Sequence, residues 1–366
     1  MATTKSRRRQ WVIIPAAVLL VVLFLVIGAW SMFKTELAAI GSITELEKGL
    51  YYMEYRGDYG FDGFLEAGGA ASDAKMAEYL TAYLSKGFYR PKEAPEEGEG
   101  TPFACSTITV ENAAGEQLFG RNFDWDDCTG IVVKTVPDNG YASVSTANLD
   151  FLGFGEGFSP TDSMMNSFMA LASAYVPLDD MNEAGLCVAD LVVGNGELGE
   201  THQDTGKPDL TTVAAIRLLL DRAATVEEAE ALLKDYDMHS SAGMMHHLSV
   251  SDAKGGSIVI EYIDNVIKVT NTAAVTNFYL APGASYGLGS DSSMALVRYE
   301  MLCDILDGST GKMEEAEVKE ALMAVSCGAL NRGVTQWSIV YNKDALTLTL
   351  WFKENFAEGH SFTVNR

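Results

Sequence analysis

"CSTITVENAAGEQLFGRNFDW", residues 105–125, decides how the rest of the chain is read. CSTITV alternates and predicts a strand, ENAAGEQ supplies a turn around Gly115, and LFGRNFDW reads as the returning strand. In that hairpin Cys105 opens the first strand, and Arg121 and Asp124 lie near the end of the second. The turn near Ala114-Gly115 brings those ends together. A guanidinium and a carboxylate then flank a thiol, and a nearby cation favours the thiolate. The same residues have a plainer reading. Cys105 can be an inert buried thiol, Arg121 with Asp124 a routine ion pair at a strand end, and Gly120 a bulge. The reactive reading lacks a base. If Cys105 were the first residue of a mature chain, its own α-amine would serve, since it titrates near about pH 7.7–8.0 when unperturbed.

The 104 residues ahead of Cys105 carry a pattern of their own. KSRRRQ precedes WVIIPAAVLLVVLFLVIGAWSMF, residues 11–33, a run of 23 residues without a charge. Such a run can cross a hydrocarbon core of about 30 Å. The basic tail, residues 1–10, then lies in the cytoplasm, and everything after Phe33 lies outside, anchored to the cell membrane. A cleaved signal peptide and a secreted product are the rival reading. Against it, the apolar run is long and no A-x-A site follows at once. Residues 34–94 read as folded: MEYRGDYGFDGFLEAGG is rich in aromatics, and DAKMAEYLTAYLSKGF has helical spacing behind Asp73 as cap. RPKEAPEEGEGTP, residues 90–102, is an acidic, exposed, flexible loop that ends just before Phe103-Ala104-Cys105.

The chain of 366 residues is 48% hydrophobic, enough for a sizeable core, and its net charge of -24 sets a nucleic-acid partner aside. Its five cysteines show no CxxC and its five histidines no HExxH, so neither a zinc site nor a disulfide scaffold is expected. His246 and His247 would point to opposite faces of a strand and chelate poorly. No metal or cofactor is called for.

Downstream, GIVVKTVP and YASVSTANL read as paired strands, and MNEAGLCVADLVV as a turn and a buried strand. Residues 210–235 are helical, with Thr225 and Glu228 at capping-box spacing. MHHLSVSD, SIVIEYID and VIKVTN are successive strands; 292–306 and 313–326 are helices; QWSIVYN and ALTLTLWF close the chain as a hairpin. The apolar segment 152–171 is either a loop for an acyl group or a cover over the core. Hairpin-connected strands predict largely antiparallel sheets. Two such sheets with helices outside them give a layered α+β domain.

The motif C-S-T…L-F-G-R-N-F-D-W resembles the nucleophile hairpin of the N-terminal-nucleophile hydrolases. More narrowly, it is similar to the choloylglycine hydrolase family of linear amide hydrolases. The intervals from Cys105, 16 residues to Arg121 and 19 to Asp124, match that family. MNEAGL (181–186), HLSVSDAKGGSIVIEY (247–262), VTNF (275–278) and the closing hairpin follow in the family's order, so the likeness spans roughly 105–355. It implies a four-layer αββα sandwich over 105–366, preceded by a folded segment, 34–104, that is severed from it at Ala104–Cys105 and can stay bound after the cut. It further implies that Cys105 is the nucleophile and that Arg121 and Asp124 flank it. Asn277 and the backbone N–H of Val192 would be the oxyanion donors. Read from pattern alone, Asn277 is a strand-end or turn residue. The family's additional arginine falls near Met294 here, and Arg298 and Arg332 are the candidates to take its place. The function implied is a membrane-anchored, extracytoplasmic cysteine hydrolase acting on C–N bonds of linear acyl amides, with a small-molecule substrate. An acyltransferase of the same fold and an unprocessed binding protein are the alternatives.

Overall fold

The computed structural model describes residues 28, 30–89, 104–152, 157–194 and 198–366. Most of the expected span 11–33, and the acidic loop 90–102, lie outside the described residues. Among the described residues no helix is long and apolar enough to cross a membrane.

From Lys34 the order is helix α1 (Lys34–Ser42), strands β1 (Thr44–Glu47) and β2 (Leu50–Arg56), and helices α2 (Phe61–Glu66) and α3 (Asp73–Leu84). The hairpin follows as β3 (Ala104–Glu111) and β4 (Gln117–Asp124), joined by a turn in which Gly115 has φ 89°, a left-handed value that glycine adopts freely. Next come β5 (Gly130–Val136), β6 (Ser143–Asn148), α4 (Met164–Ala170), β7 (Asp179–Asn182), β8 (Cys187–Val192) and β9 (Asp209–Thr211). Helices α5 (Thr212–Arg222) and α6 (Val226–Leu233) precede β10 (Asp237–His239), β11 (His246–Ser251), β12 (Ser257–Ile263), β13 (Val266–Asn271) and β14 (Ala274–Val275). The chain ends with α7 (Ala295–Gly308), α8 (Glu315–Ala324), β15 (Thr335–Asn342), β16 (Thr347–Phe352) and β17 (His360–Thr363).

The strands form a nine-stranded sheet, β1-β2-β5-β6-β7-β8-β11-β12-β13, a six-stranded sheet, β14-β3-β4-β15-β16-β17, and a small parallel pair, β9-β10. Period-two alternation along the strands explains the layers. Leu50, Phe119, Phe123, Leu191, Val259, Trp337 and Ile339 meet between the sheets. Tyr55, Val133, Val188 and Leu248 face the opposite way, onto Phe64, Met76, Leu80, Leu219 and Leu233 of the helices α2, α3, α5 and α6. Ile108, Val110 and Val340 face α7 and α8 through Leu302, Val318 and Leu322. Helices on both outer faces of two packed sheets make the four layers.

Several details differ from the expectations. The larger sheet is mixed, because β2 pairs with β5 in parallel from Leu50↔Gly130 to Arg56↔Val136. The cap of α3 is Ser72, whose hydroxyl accepts Lys75 N–H, whereas Asp73 is the first helical residue. The hairpin register runs without a shift through Ile108↔Gly120, so Gly120 is not a bulge. A Cβ there would lie 2.8 Å from Ile108 Cγ2 and from Val318 Cγ1, so the glycine lets α8 pack directly on the strand. In segment 152–171, Phe158, Ala170 and Leu171 are buried in the core beneath the helices, as a cover would be, while Met164 and Met165 stay exposed.

Candidate active site

The hairpin register decides which side chains meet. Cys105 stands opposite Phe123 and Thr107 opposite Arg121, so Cys105, Arg121 and Phe123 share the face between the sheets. Ala104 stands opposite Asp124, whose side chain by alternation faces the α7–α8 side. The guanidinium and the carboxylate therefore flank the start of β3 from opposite faces.

Arg121 is fully buried. It donates to the carbonyls of Asn122 (2.5 Å) and Asp190 (2.7 Å), and its Nε lies 3.4 Å from Asp179 Oδ2. Asp179 in turn accepts from Trp337 Nε1 (2.9 Å) and Tyr341 Oη (3.2 Å), so the anion that fixes Arg121 is itself fixed from the opposite sheet. Burial pushes the Cys105 thiol above its ordinary range, and the charge and hydrogen bond of Arg121 pull it back. Burial works against the charge on Arg121, but the Cys105 thiol and Asp179 outweigh it and hold that charge firmly in place.

Asp124 accepts from Thr335 Oγ1, and its second oxygen, Oδ2, lies 3.9 Å from Arg298 Nη1. That Oδ2 is buried and has no hydrogen-bond partner among the described residues. Burial raises the Asp124 carboxyl above its usual range; Arg298, Thr335, Arg121 and Arg332 oppose the rise.

Asn277 follows β14 and is fully buried. Its Oδ1 accepts the Cys105 backbone N–H (2.7 Å), and its Nδ2 donates to Val192 O (2.7 Å). Val193 N–H bonds Met245 O (2.8 Å), so strand alternation turns the N–H and C=O of Val192 to the other edge of β8, where Asn277 sits. Arg298, on α7, donates to Cys105 O (2.5 Å), Asn277 Oδ1 (2.7 Å) and Ser293 O (3.0 Å). Its burial lowers its own pKa, against the pull of Asp124 and Cys105. One arginine thus joins the residue carrying the thiol to the asparagine beside it. Met294 adopts a left-handed backbone (φ 53°) at the head of α7 and is partly exposed, away from that role. Arg332 is half-buried. It acts on Asp124 and Arg298 only through its charge, and its Nη1 has no hydrogen-bond partner among the described residues.

The structure therefore brings Cys105, Arg121, Asp124, Asn277, Val192 and Arg298 together and leaves Arg332 at the margin. Sequence reasoning missed Thr335, which tethers Asp124, and Asp179, which tethers Arg121. The acidic pair Asp179-Asp180, buried at the start of the short strand β7, was the available signal. It also missed an aromatic run that leads outward from the thiol. Phe123 stacks on Trp337 (centroids 4.2 Å apart), and Trp125 meets the exposed ring of Phe151 edge-on at 4.9 Å. His246 and His247 do face opposite ways: His246 bonds Asp190 and Ser241 O, and His247 bonds Glu261 and Thr276 O. Among the described residues no group of His, Cys, Asp and Glu could hold a metal ion.

The site thus gathers a thiol at the head of β3, an asparagine on its backbone N–H, an arginine on its backbone carbonyl, and a second arginine and a carboxylate on either side of the strand. Residues 105–278 match the model of the linear amide C–N hydrolases, choloylglycine hydrolase family. A penicillin V acylase of Pectobacterium atrosepticum is 28% identical over 177 residues, 46% of this chain and 46% of the relative. The match thus spans about half the length of that curated relative. Similar solved structures include a mutant of the conjugated bile acid hydrolase from Clostridium perfringens, with 16% identity, 71% of this chain and 92% of that chain covered, and a TM-score of 0.48. Penicillin V acylase from Agrobacterium tumefaciens is another, with 19% identity, coverage of 70% and 85%, and a TM-score of 0.48.

Proposed function

We propose that the chain is the precursor of a cysteine amidase that hydrolyses the C–N bond of linear N-acyl amides and is activated by cleavage at Ala104–Cys105. The observation that carries this reading is the surroundings of that one peptide bond. Cys105 N–H is held by Asn277 Oδ1, Cys105 O by Arg298, and the buried Asp124, with an unfilled acceptor oxygen, lies opposite Ala104. An unsatisfied buried carboxylate oxygen is costly. The ammonium created at Cys105 by the cut would fill it.

The cut proceeds by attack of Cys105 Sγ on the Ala104 carbonyl carbon. The C–S bond forms, the C–N bond breaks, and the nitrogen takes up a proton to become the free amine of Cys105. Water then hydrolyses the thioester, returning the thiol and leaving Ala104 as a carboxylate. In the mature enzyme the neutral α-amine takes the thiol proton, and the thiolate attacks the substrate's amide carbonyl. Asn277 Nδ2 and the Val192 N–H receive the oxyanion, a contribution worth about 2.7–4 kcal/mol per donor. For this Asn277 must release Val192 O, the acceptor it holds in the uncut chain. The amine then passes the proton to the leaving nitrogen, and water releases the acid.

The run Phe123–Trp125–Phe151 suits an apolar or aromatic acyl group. Penicillin V, a bile-acid amide and a long-chain N-acyl amide are the probes, with the released acid read by mass spectrometry. Phe151→Ala is expected to raise KM about tenfold on the best of them and leave kcat nearly unchanged. An unchanged KM would place the acyl group elsewhere. We further propose that residues 11–33 tether the enzyme on the extracytoplasmic side of the membrane. Recovery of the full-length chain in the soluble fraction of the cells that make it would contradict this.

A further inference from the structure

The segment 276–281, which presents Asn277, lies outside both sheets. Its backbone is gripped by two buried side chains of the nine-stranded sheet. Glu261, on β12, accepts Leu280 N–H at Oε1 (2.8 Å) and Ala281 N–H at Oε2 (2.7 Å). His247, opposite Glu261 in register on β11, sets Nδ1 3.2 Å from Glu261 Oε1 and Nε2 2.8 Å from Thr276 O. A carbonyl only accepts, so His247 Nε2 carries the proton of that bond. The pair therefore holds the chain on both sides of Asn277: at 276 by its carbonyl, and at 280 and 281 by their amides. Thr276 Oγ1 adds a bond to Ala295 O (2.9 Å) at the head of α7, the helix that carries Arg298.

Stability alone does not account for this pair. Both side chains are buried, and neighbouring positions on the same face of the sheet are filled by Leu191, opposite His247 on β8, and Val259 of β12. Well-packed apolar residues in place of a buried acid–base pair are often neutral or stabilising. What the pair supplies, and apolar side chains cannot, is directed hydrogen bonds to the main chain beside Asn277.

We propose that His247 and Glu261 are positioning residues. They fix the backbone at 276–281 so that Asn277 meets both the nitrogen of Cys105 and the oxyanion. This rests on the role given to Cys105 and Asn277 above. The test uses the full-length chain with Glu261→Gln and His247→Gln. The first keeps the shape of Glu261 but exchanges an acceptor oxygen for a donor; the second keeps a donor that can reach Thr276 O. Three quantities are measured: kcat and KM on the amide the parent turns over best, the rate of Cys105 alkylation by iodoacetamide, and hydrogen exchange along the chain. Glu261→Gln is expected to lower kcat about 10- to 100-fold with KM nearly unchanged. Alkylation should hold its parent rate, and exchange should quicken at 276–281 but not in β3 or β4. Slower cutting at Ala104–Cys105 would count as the same loss. If Glu261→Gln does not fold, His247→Gln carries the test, with a smaller loss of the same pattern.

Parent values of kcat in both variants would overturn the proposal. So would losses that run through alkylation and exchange everywhere, since these report a damaged fold. If the parent itself neither cuts nor hydrolyses, the functional reading fails, and exchange alone decides the brace. Quickening confined to 276–281 then supports it, and unchanged exchange there overturns it.

Discussion

Arg298 shows how one residue ties a site together. Its guanidinium spans Cys105 O, Asn277 Oδ1 and Ser293 O, and it faces Asp124 at 3.9 Å. Lysine keeps the charge but cannot reproduce three directed bonds from one planar group. Arg298→Lys should therefore slow turnover about 10- to 100-fold while the protein remains folded. Arg298→Ala should also cost about 3–5 kcal/mol of stability, because it strands the Asp124 charge in the interior. Kinetics and thermal melts of the two variants check this, and equal losses of both quantities in both variants would contradict it. At this scale the site was largely legible. Cys105, Arg121 and Asp124 stand at fixed places on one hairpin, where period-two alternation dictates who meets whom. Arg298 could only be offered alongside Arg332, because which arginine reaches the main chain at Cys105 depends on how α7 enters the fold, and Met294 gives no hint of it. His247 and Glu261 read as ordinary strand positions; their role comes from a loop that closes over them from far along the chain.

At the scale of elements, the segment ahead of Cys105 is built into the fold. β2 lies between β1 and β5 in the larger sheet, and Tyr55, Tyr59, Phe61 and Phe64 are each at most 2% exposed. Asp73, at the start of α3, accepts from Ser241 Oγ (2.9 Å) and Ala242 N–H (2.8 Å), in the loop that leads to His246. A cut at Ala104–Cys105 should therefore leave the two pieces associated. They should co-elute on size exclusion without denaturant and separate only on unfolding; separation in native buffer would contradict the packing described. Tyr55→Ala should destabilise the assembly by about 3–5 kcal/mol, measured by denaturant titration. The aromatic composition of this stretch announced a folded segment. The parallel pairing of β2 with β5 was not legible, because such pairing joins strands far apart in sequence and leaves no local period. Hairpins announce themselves through their turns, so the antiparallel expectation was correct for β3–β4 and β15–β16 but failed at this edge.

At the scale of the whole molecule, the closing hairpin contributes a pH dependence of its own. Lys343, in its turn, is 1% exposed and bonds Ser251 Oγ; burial lowers its pKa from 10.5 to about 8. Because the folded value lies below the unfolded one, the charged lysine opposes folding fully below about pH 8. That opposition fades as pH rises from about 8 to 10.5, where the unfolded lysine also loses its proton. Lys343→Met should therefore stabilise the fold at pH 7 by on the order of 2–3 kcal/mol, with the gain shrinking toward zero near pH 10.5. Melting curves across that range check it, and a gain independent of pH would contradict it.

The central claim is that this fold cuts its own chain to make its catalytic amine. Intact mass together with N-terminal sequencing of the purified full-length chain, beside its Cys105→Ala counterpart, tests it most directly. The account predicts a new N-terminus at Cys105 in the parent and an uncut chain in the variant. An uncut parent that hydrolyses amides, or a variant cut at the same bond, would contradict it.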